Sequence, residues 1–297
     1  MLIKMQVGEQ DRGELQVNVT DSDNAPIRDA RVTISEPETA INPNSPIERL
    51  ETDVSGQTQI VDLNTPPLEY SLNENNENMP YANYNIQIEA PGYETENISN
   101  VEILPDSLSL QDVRMRRREG EQVENIDIDP HTLYAEYPEK IPEDEIKDVN
   151  EPGEIVLSRV VIPEYVVVHN GTPSSNARDY YVTYKDYIKN VASSEIYATW
   201  PRATIEANVL AIMSFTLNRV YTEWYRNKGY DFTITSSTAY DQKWIYGRNI
   251  FQSIDEVVDE IFNQYLSRPD VRQPILTQYC DGKRVTCPNW LSQWGSC

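Results

Sequence analysis

YIKNVASSEIYATWPRATIEANVLAIMSFTLNRV, residues 187–220, decides how this chain is read. Tyr184, Tyr187, Ile188, Val191, Ala192 and Glu195 recur at three- and four-residue spacing, which predicts a helix running up to the glutamate. Trp200-Pro201 breaks it, and a proline suits the first turn of a new helix. That second helix is expected over 202–228, with Ile205, Val209, Ile212, Met213, Leu217, Val220 and Trp224 on a long apolar stripe and Gly229 as its stop. One carboxylate, Glu195, is left among small and apolar neighbours at the break. Spacing alone reads it as a solvated helix end.

Around this pair of helices, residues 155–297 read as an α+β domain. IVLSRVVIPEYVVV is β-branched and reads as strands interrupted at Pro163. HNGTPSS is a turn and FTITSS a strand, and SIDEVVDEIFNQYL is an amphipathic helix with acids near its start. PILTQYC and KRVTC look like strands paired around a DG turn. Upstream, ELQVNVTD, DARVTISE, TQIVDL, YNIQIEA and LSLQDVRMR alternate with period two between Asn, Asp, Gly and Pro clusters. Residues 1–116 are therefore expected to form an all-β sandwich, with NPNSP and NTPPLEYSLNENNENMP as solvated loops. Residues 117–154 are proline-rich and lack periodicity, and read as an acidic linker exposed to proteolysis. The expectation is a two-domain protein.

The net charge of −23 is uneven. Residues 155–297 carry 14 basic and 14 acidic side chains, residues 119–154 carry 2 and 13, and residues 1–118 carry 9 and 21. Such acidity excludes nucleic acid as a partner. No stretch reaches the roughly 20 apolar residues of a membrane span, and MLIKMQVGEQDRGE has no apolar run long enough for an export signal. Cys280 and Cys287 could close a disulfide, stay free or help bind zinc, though the only histidines, His131 and His169, are distant in sequence. Cys297 is the odd thiol. No cofactor is called for, and His169 reads as a strand-end histidine with a backbone partner. Tyr240, Asp241, Gln242, Tyr246 and Gly247 form a polar-aromatic cluster suited to a sugar, where amides and hydroxyls bond sugar oxygens and rings cover sugar faces. Ser292, Gln293 and Trp294 are further candidates for the wall of a cleft.

Three stretches in order carry a resemblance: YIKNVASSEIYATWP with the helix after it, STAYDQKWIYG, and WLSQWGS. Together they resemble the catalytic segment of the stage II sporulation protein D family, and within it the spore cortex-lytic enzymes. The residues VTDSDNAPIRDARVTI, TDVSGQTQI and YNIQIEAPGYE resemble carboxypeptidase regulatory-like (transthyretin-like) modules, which are usually non-catalytic.

The resemblance implies a lytic transglycosylase acting on the glycan strands of spore cortex peptidoglycan. Glu195 takes the acid/base position, and Ser194 and Trp200 join the cluster above as substrate-binding residues. One carboxyl suffices because the sugar's own 6-hydroxyl attacks the anomeric carbon, leaving a 1,6-anhydro end and activating no water. It also implies a zymogen stored in the spore and cut by a subtilisin-like protease in residues 117–160, with the β module as prodomain. Relatives continue past QWGS into a closing segment and a wall-binding domain, so a C-terminally cut domain is expected. Two positions depart from the family, which often has Lys and Arg where this chain has Glu206 and Met213. The alternatives are a hydrolytic muramidase or amidase, and a non-catalytic wall-binding protein.

Overall fold

The computed structural model describes residues 10–37, 46–118, 123–141 and 155–297. In chain order their elements are β1 (Asp11–Asp21), β2 (Arg31–Ser35), β3 (Pro46–Glu51), β4 (Val61–Thr65), α1 (Glu69–Leu72), β5 (Ala82–Glu89), β6 (Thr95–Ile103), β7 (Leu108–Met115), β8 (Val123–Asp127), β9 (Tyr165–His169), β10 (Asp179–Thr183), α2 (Tyr184–Glu195), α3 (Arg202–Tyr221), β11 (Ile234–Thr235), β12 (Ile250–Phe251), α4 (Gln252–Ile261), β13 (Tyr279–Cys280) and β14 (Leu291–Ser292). They divide into two units. The first holds the described residues up to Pro130 with Tyr197–Thr199 and Tyr246–Gln252, and the second holds His131–Ile196, Trp200–Ile245 and Ser253–Cys297. Among the described residues no helix is long and apolar enough to cross a membrane.

In the first unit, alternation sets which face each strand buries. Leu15, Val17 and Val19 of β1, Val32 and Ile34 of β2, and Ile86 and Ile88 of β5 are buried, and their sequence neighbours face outward. The strands form two sheets, in the orders β12-β7-β1-β4 and β3-β2-β5-β6-β8. β1 runs parallel to β7 and antiparallel to β4. Two turns are organised by aspartates that accept backbone N–H groups ahead of them: Asp21 Oδ1 from Asp23 and Ala25, and Asp53 Oδ1 from Ser55 and Gln57.

Two differences from the sequence reading concern this unit. Val123–Asp127, within the stretch read as linker, pairs in parallel with β6 as the edge strand of its sheet. Tyr246 and Gly247, read as part of the sugar cluster, belong here and not to the unit of Glu195. Their segment is stitched in by Arg248, whose buried guanidinium meets Glu102 at 2.5 Å, and by Asn249, which bonds both the N–H and the C=O of Glu102. A Cβ on Gly247, at φ +76°, would lie 2.5 Å from Ile126 Cγ2, so glycine is needed for close packing there. NPNSP, except Pro46, and residues 119–122 and 142–154 of the acidic stretch lie outside the described residues.

The second unit is built on α3. Every residue from Ala211 to Arg219 is buried, so this helix is enclosed on all sides and not merely striped. Its start follows Pro201, in extended conformation. It ends at Tyr221, earlier than the 228 expected, because Glu223 turns the chain at φ 47° and a separate short turn, Arg226–Lys228, is the one that Gly229 closes at φ +84°. Helix α2 begins at Thr183, whose hydroxyl caps the Asp186 N–H. Lys189 of α2 bridges Asp255 (2.6 Å) and Asp259 (3.1 Å) of α4. A small sheet, β10-β9-β11, completes the unit; residues 155–164 form no strand before β9. The expected KRVTC strand is also absent. Asp281 accepts the N–H groups of Lys283, Arg284 and Val285, which winds the segment into a turn, and Cys280 and Cys287 are joined by a disulfide across it. β13 pairs instead with β14, in parallel. Cys297 is a free, exposed thiol.

Candidate functional site

Glu195 is the last residue of α2 and is 1% exposed. Its Oε1 accepts the backbone N–H of Lys243 at 2.7 Å, and its Oε2 accepts the hydroxyl of Tyr279 at 2.5 Å. Burial pushes the carboxyl above its ordinary value, against the opposing influence of the Lys140 ammonium, those two hydrogen bonds and the Lys243 charge. The carboxyl therefore keeps its proton to higher pH than an ordinary glutamate, and each of its oxygens faces one fixed donor.

Each neighbour is placed by an identifiable piece of chain. Asn190, one turn before Glu195 on α2, uses its side-chain amide like a strand partner, bonding both the N–H (2.9 Å) and C=O (2.8 Å) of Ile245. That fixes the segment carrying Lys243. Tyr279 is brought by β13, and the β14 partner strand leads into Gln293, whose amide donates to the backbone carbonyl of Glu195 at 3.2 Å. The turn after it is tied to α3 through Thr204 and Asn208, which bond Ser296. Trp200 and Trp294 meet with ring centroids 5.0 Å apart.

The structure assigns internal duties to several residues read as sugar-binding. Gln242 is 0% exposed; its Oε1 accepts from Tyr187 and Thr216, and its amide donates to Ile212 O and to the Tyr279 hydroxyl. It therefore reaches Glu195 only through Tyr279. Asp241, also 0% exposed, is paired with Arg219 at 2.7 Å and accepts from Tyr225 and Thr235. The Ser194 hydroxyl bonds back to Asn190 O within α2, and Ser292 Oγ accepts the Gly295 N–H. Tyr240 is half-buried, and its carbonyl accepts from Arg219. Glu206, one of the two departures from the family, pairs with Arg202 one turn before it on α3 at 2.8 Å.

Sequence reading missed the cover. Residues 131–141, part of the stretch read as linker, belong to this unit. Thr132 N–H donates to Ser194 O at 3.0 Å, and the buried His131 ring contacts Ile196 O. Leu133 N–H donates to His131 Nδ1, which makes Nε2 the protonated nitrogen facing that carbonyl. Arg284, braced by Asp281 at 2.8 Å, donates to the carbonyls of Thr132 and Ala135. Lys140 donates to Asp241 O, and its ammonium lies 5.3 Å from the centre of the Tyr279 ring. Tyr137 is buried with no hydrogen-bond partner for its hydroxyl among the described residues, and the charge of Glu195 adds to burial in raising its ionisation well above the ordinary phenol range. The available signal was Lys140 itself, one of 2 basic residues among 13 acids in residues 119–154.

No protein-family model and no curated protein matches the chain. Solved structures align with part of it. GBS52, the minor pilin of Streptococcus agalactiae, is 16% identical over 38% of this chain and 48% of its own, with a TM-score of 0.26. The Bacillus anthracis TIE protein is 13% identical over 36% and 17%, at 0.23, and Acinetobacter radioresistens catechol 1,2 dioxygenase is 13% identical over 39% and 58%, at 0.26. The chain thus spans about half or less of the pilin and the TIE protein, and likeness at this level carries no functional argument.

Proposed function

We propose that the chain is a lytic transglycosylase of spore cortex peptidoglycan, made as a zymogen and activated by a subtilisin-like protease during germination. The observation that carries the reading is the single carboxyl of Glu195. It is buried, biased toward its protonated form and met by one N–H and one O–H donor. Protonated, it delivers its proton to the glycosidic oxygen. The donors on Oε1 and Oε2 then stabilise the carboxylate until it takes the proton of the sugar's 6-hydroxyl as that oxygen closes on the anomeric carbon. No second carboxylate is required for this chemistry.

The covering segment supports the latent part of the reading. With Tyr137 close enough to feel the charge of Glu195 and Lys140 over Tyr279, a glycan has no route to a carboxyl that is 1% exposed. The Lys140 charge also favours the ionised form, which is the wrong state for an acid. Activation then consists of cutting the acidic stretch so that residues 131–141 release, with the β module as prodomain.

Mass spectrometry of digested cortex tests the reading. Protease-treated chain is expected to release muropeptides with 1,6-anhydro ends, intact chain far fewer, and Glu195→Gln chain none. Reducing ends would identify a muramidase, free peptides an amidase, and activity in Glu195→Gln would end the proposal.

A further inference from the structure

His169 ends β9 and Asp179 begins β10, and the strand register sets them directly opposite each other. The loop between them is NGTPSSNAR, residues 170–178. Asp179 Oδ1 lies 2.7 Å from His169 Nδ1, and Ser175 Oγ lies 3.1 Å from His169 Nε2. We propose that Ser175, His169 and Asp179 form a second reactive centre, an acyl-transfer site that cleaves short carboxylic esters.

Three features go beyond what a hairpin needs to hold together. The imidazole is 6% exposed and stacks on Phe232 with centroids 4.6 Å apart and planes 17° from parallel, so it cannot swing. With Asp179 accepting the Nδ1–H hydrogen bond, the lone pair of Nε2 faces the serine, which is the tautomer a general base requires. Ser175 is exposed, and a Cβ on Gly171 would lie 2.4 Å from its Oγ, so glycine keeps the approach to the hydroxyl clear. At rest the Ser175 hydroxyl has a second acceptor, Thr172 O at 2.7 Å; turning from it toward Nε2 prepares the attack.

The step is redox-neutral. Ser175 Oγ bonds the acyl carbon as its proton passes to Nε2, and the ester's alcohol leaves with that proton. Water then repeats the sequence, releasing the carboxylic acid and restoring the serine. Loop 170–178 is made of small and polar residues apart from Pro173 and Arg178, and offers no apolar wall for a long acyl chain. The substrate class is therefore a short acyl ester, acetyl-sized.

The test uses the full chain with a fluorophosphonate and with p-nitrophenyl acetate. Peptide mapping is expected to place the fluorophosphonate adduct on Ser175. Ser175→Ala should abolish both adduct and turnover while leaving circular dichroism unchanged, and His169→Gln should slow both by about 10²–10⁴-fold. Should His169→Gln fail to fold, Asp179→Asn replaces it, expected to be slow, with partial rescue by Asp179→Glu that a purely structural role would not give. A chain that takes no adduct at Ser175, or whose p-nitrophenyl acetate turnover survives Ser175→Ala, overturns the proposal.

Discussion

Asp241 and Glu195 are carboxylates of the same unit with nearly the same exposure, 0% and 1%, yet their surroundings differ in kind. Asp241 faces a guanidinium, a phenol, a hydroxyl and a backbone N–H. Both oxygens accept hydrogen bonds and the charge is matched by Arg219, so the buried carboxylate is paired and hydrogen-bonded. Glu195 receives one N–H and one O–H, and the cation that acts on it most strongly, Lys140, arrives on the segment 131–141. Burial alone therefore does not mark an acid; the partner set does. In the proposed reading, Glu195 is the carboxyl that exchanges a proton, and its burial raises its ionisation above the ordinary value.

The largest expected effect breaks the comparison from the Asp241 side. Asp241→Ala leaves Arg219 buried without its carboxylate and is expected to cost about 3–5 kcal/mol, read as a loss of urea midpoint. Glu195→Gln should do the reverse, keeping the fold and lowering anhydro-muropeptide release by at least about 10²–10⁴-fold. Equal destabilisation by both changes would mean that Glu195 is a structural carboxylate like Asp241.

Next in size is the cover. Tyr137→Ala combined with Lys140→Ala is expected to raise cleavage by intact, uncut chain by about tenfold or more, since a 1.4 kcal/mol loss of cover shifts the open population tenfold. Glu136→Ala, at an exposed position of the same segment, should change nothing. Tyr279→Phe removes a hydrogen bond to the ionised form of Glu195. The acid should then hold its proton to higher pH, moving the alkaline limb of the pH–rate profile upward.

The smallest effects lie in stability against pH. A carboxyl raised in the folded state contributes stability at low pH that is lost as pH climbs through its folded value. Glu195 is raised chiefly by desolvation, so the melting-temperature gain of Glu195→Gln over the unaltered chain should widen as pH rises above about 4.5. In the other unit, Glu96 is pushed up to about 7 by burial and by the Glu124 charge. Glu96→Gln should produce the same divergence there, growing as pH rises to about 7 and levelling off above it. A pH-independent difference in either case would contradict the assigned cause.

The parts of this molecule that were legible in its sequence are those written in neighbouring residues. Alternation placed the buried faces of β1, β2 and β5, and the DSDN and TDVSG aspartates announced their turns. The three- and four-residue spacing placed Glu195 at the end of α2. The parts that were not legible involve partners far apart in the chain. Tyr279 meets Glu195 across 84 residues, and Asn190 meets Ile245 across 55. A mid-helix asparagine is a weak helix former and could have signalled such a duty, but it could not have named its partner.

By itself the sequence determined the buried faces of β1, β2 and β5, the two aspartate turns of the first unit, and that one carboxylate would stand at the break between two helices. Periodicity and turn chemistry are local, and need no knowledge of what packs opposite. Only the tertiary structure decided that Asp241 and Gln242 serve the interior, that Tyr246 and Gly247 belong to the other unit, and that residues 131–141 lie over the glutamate. Those outcomes depend on which buried donor finds which buried acceptor, a pairing set by the cost of leaving either one unmatched once water is gone.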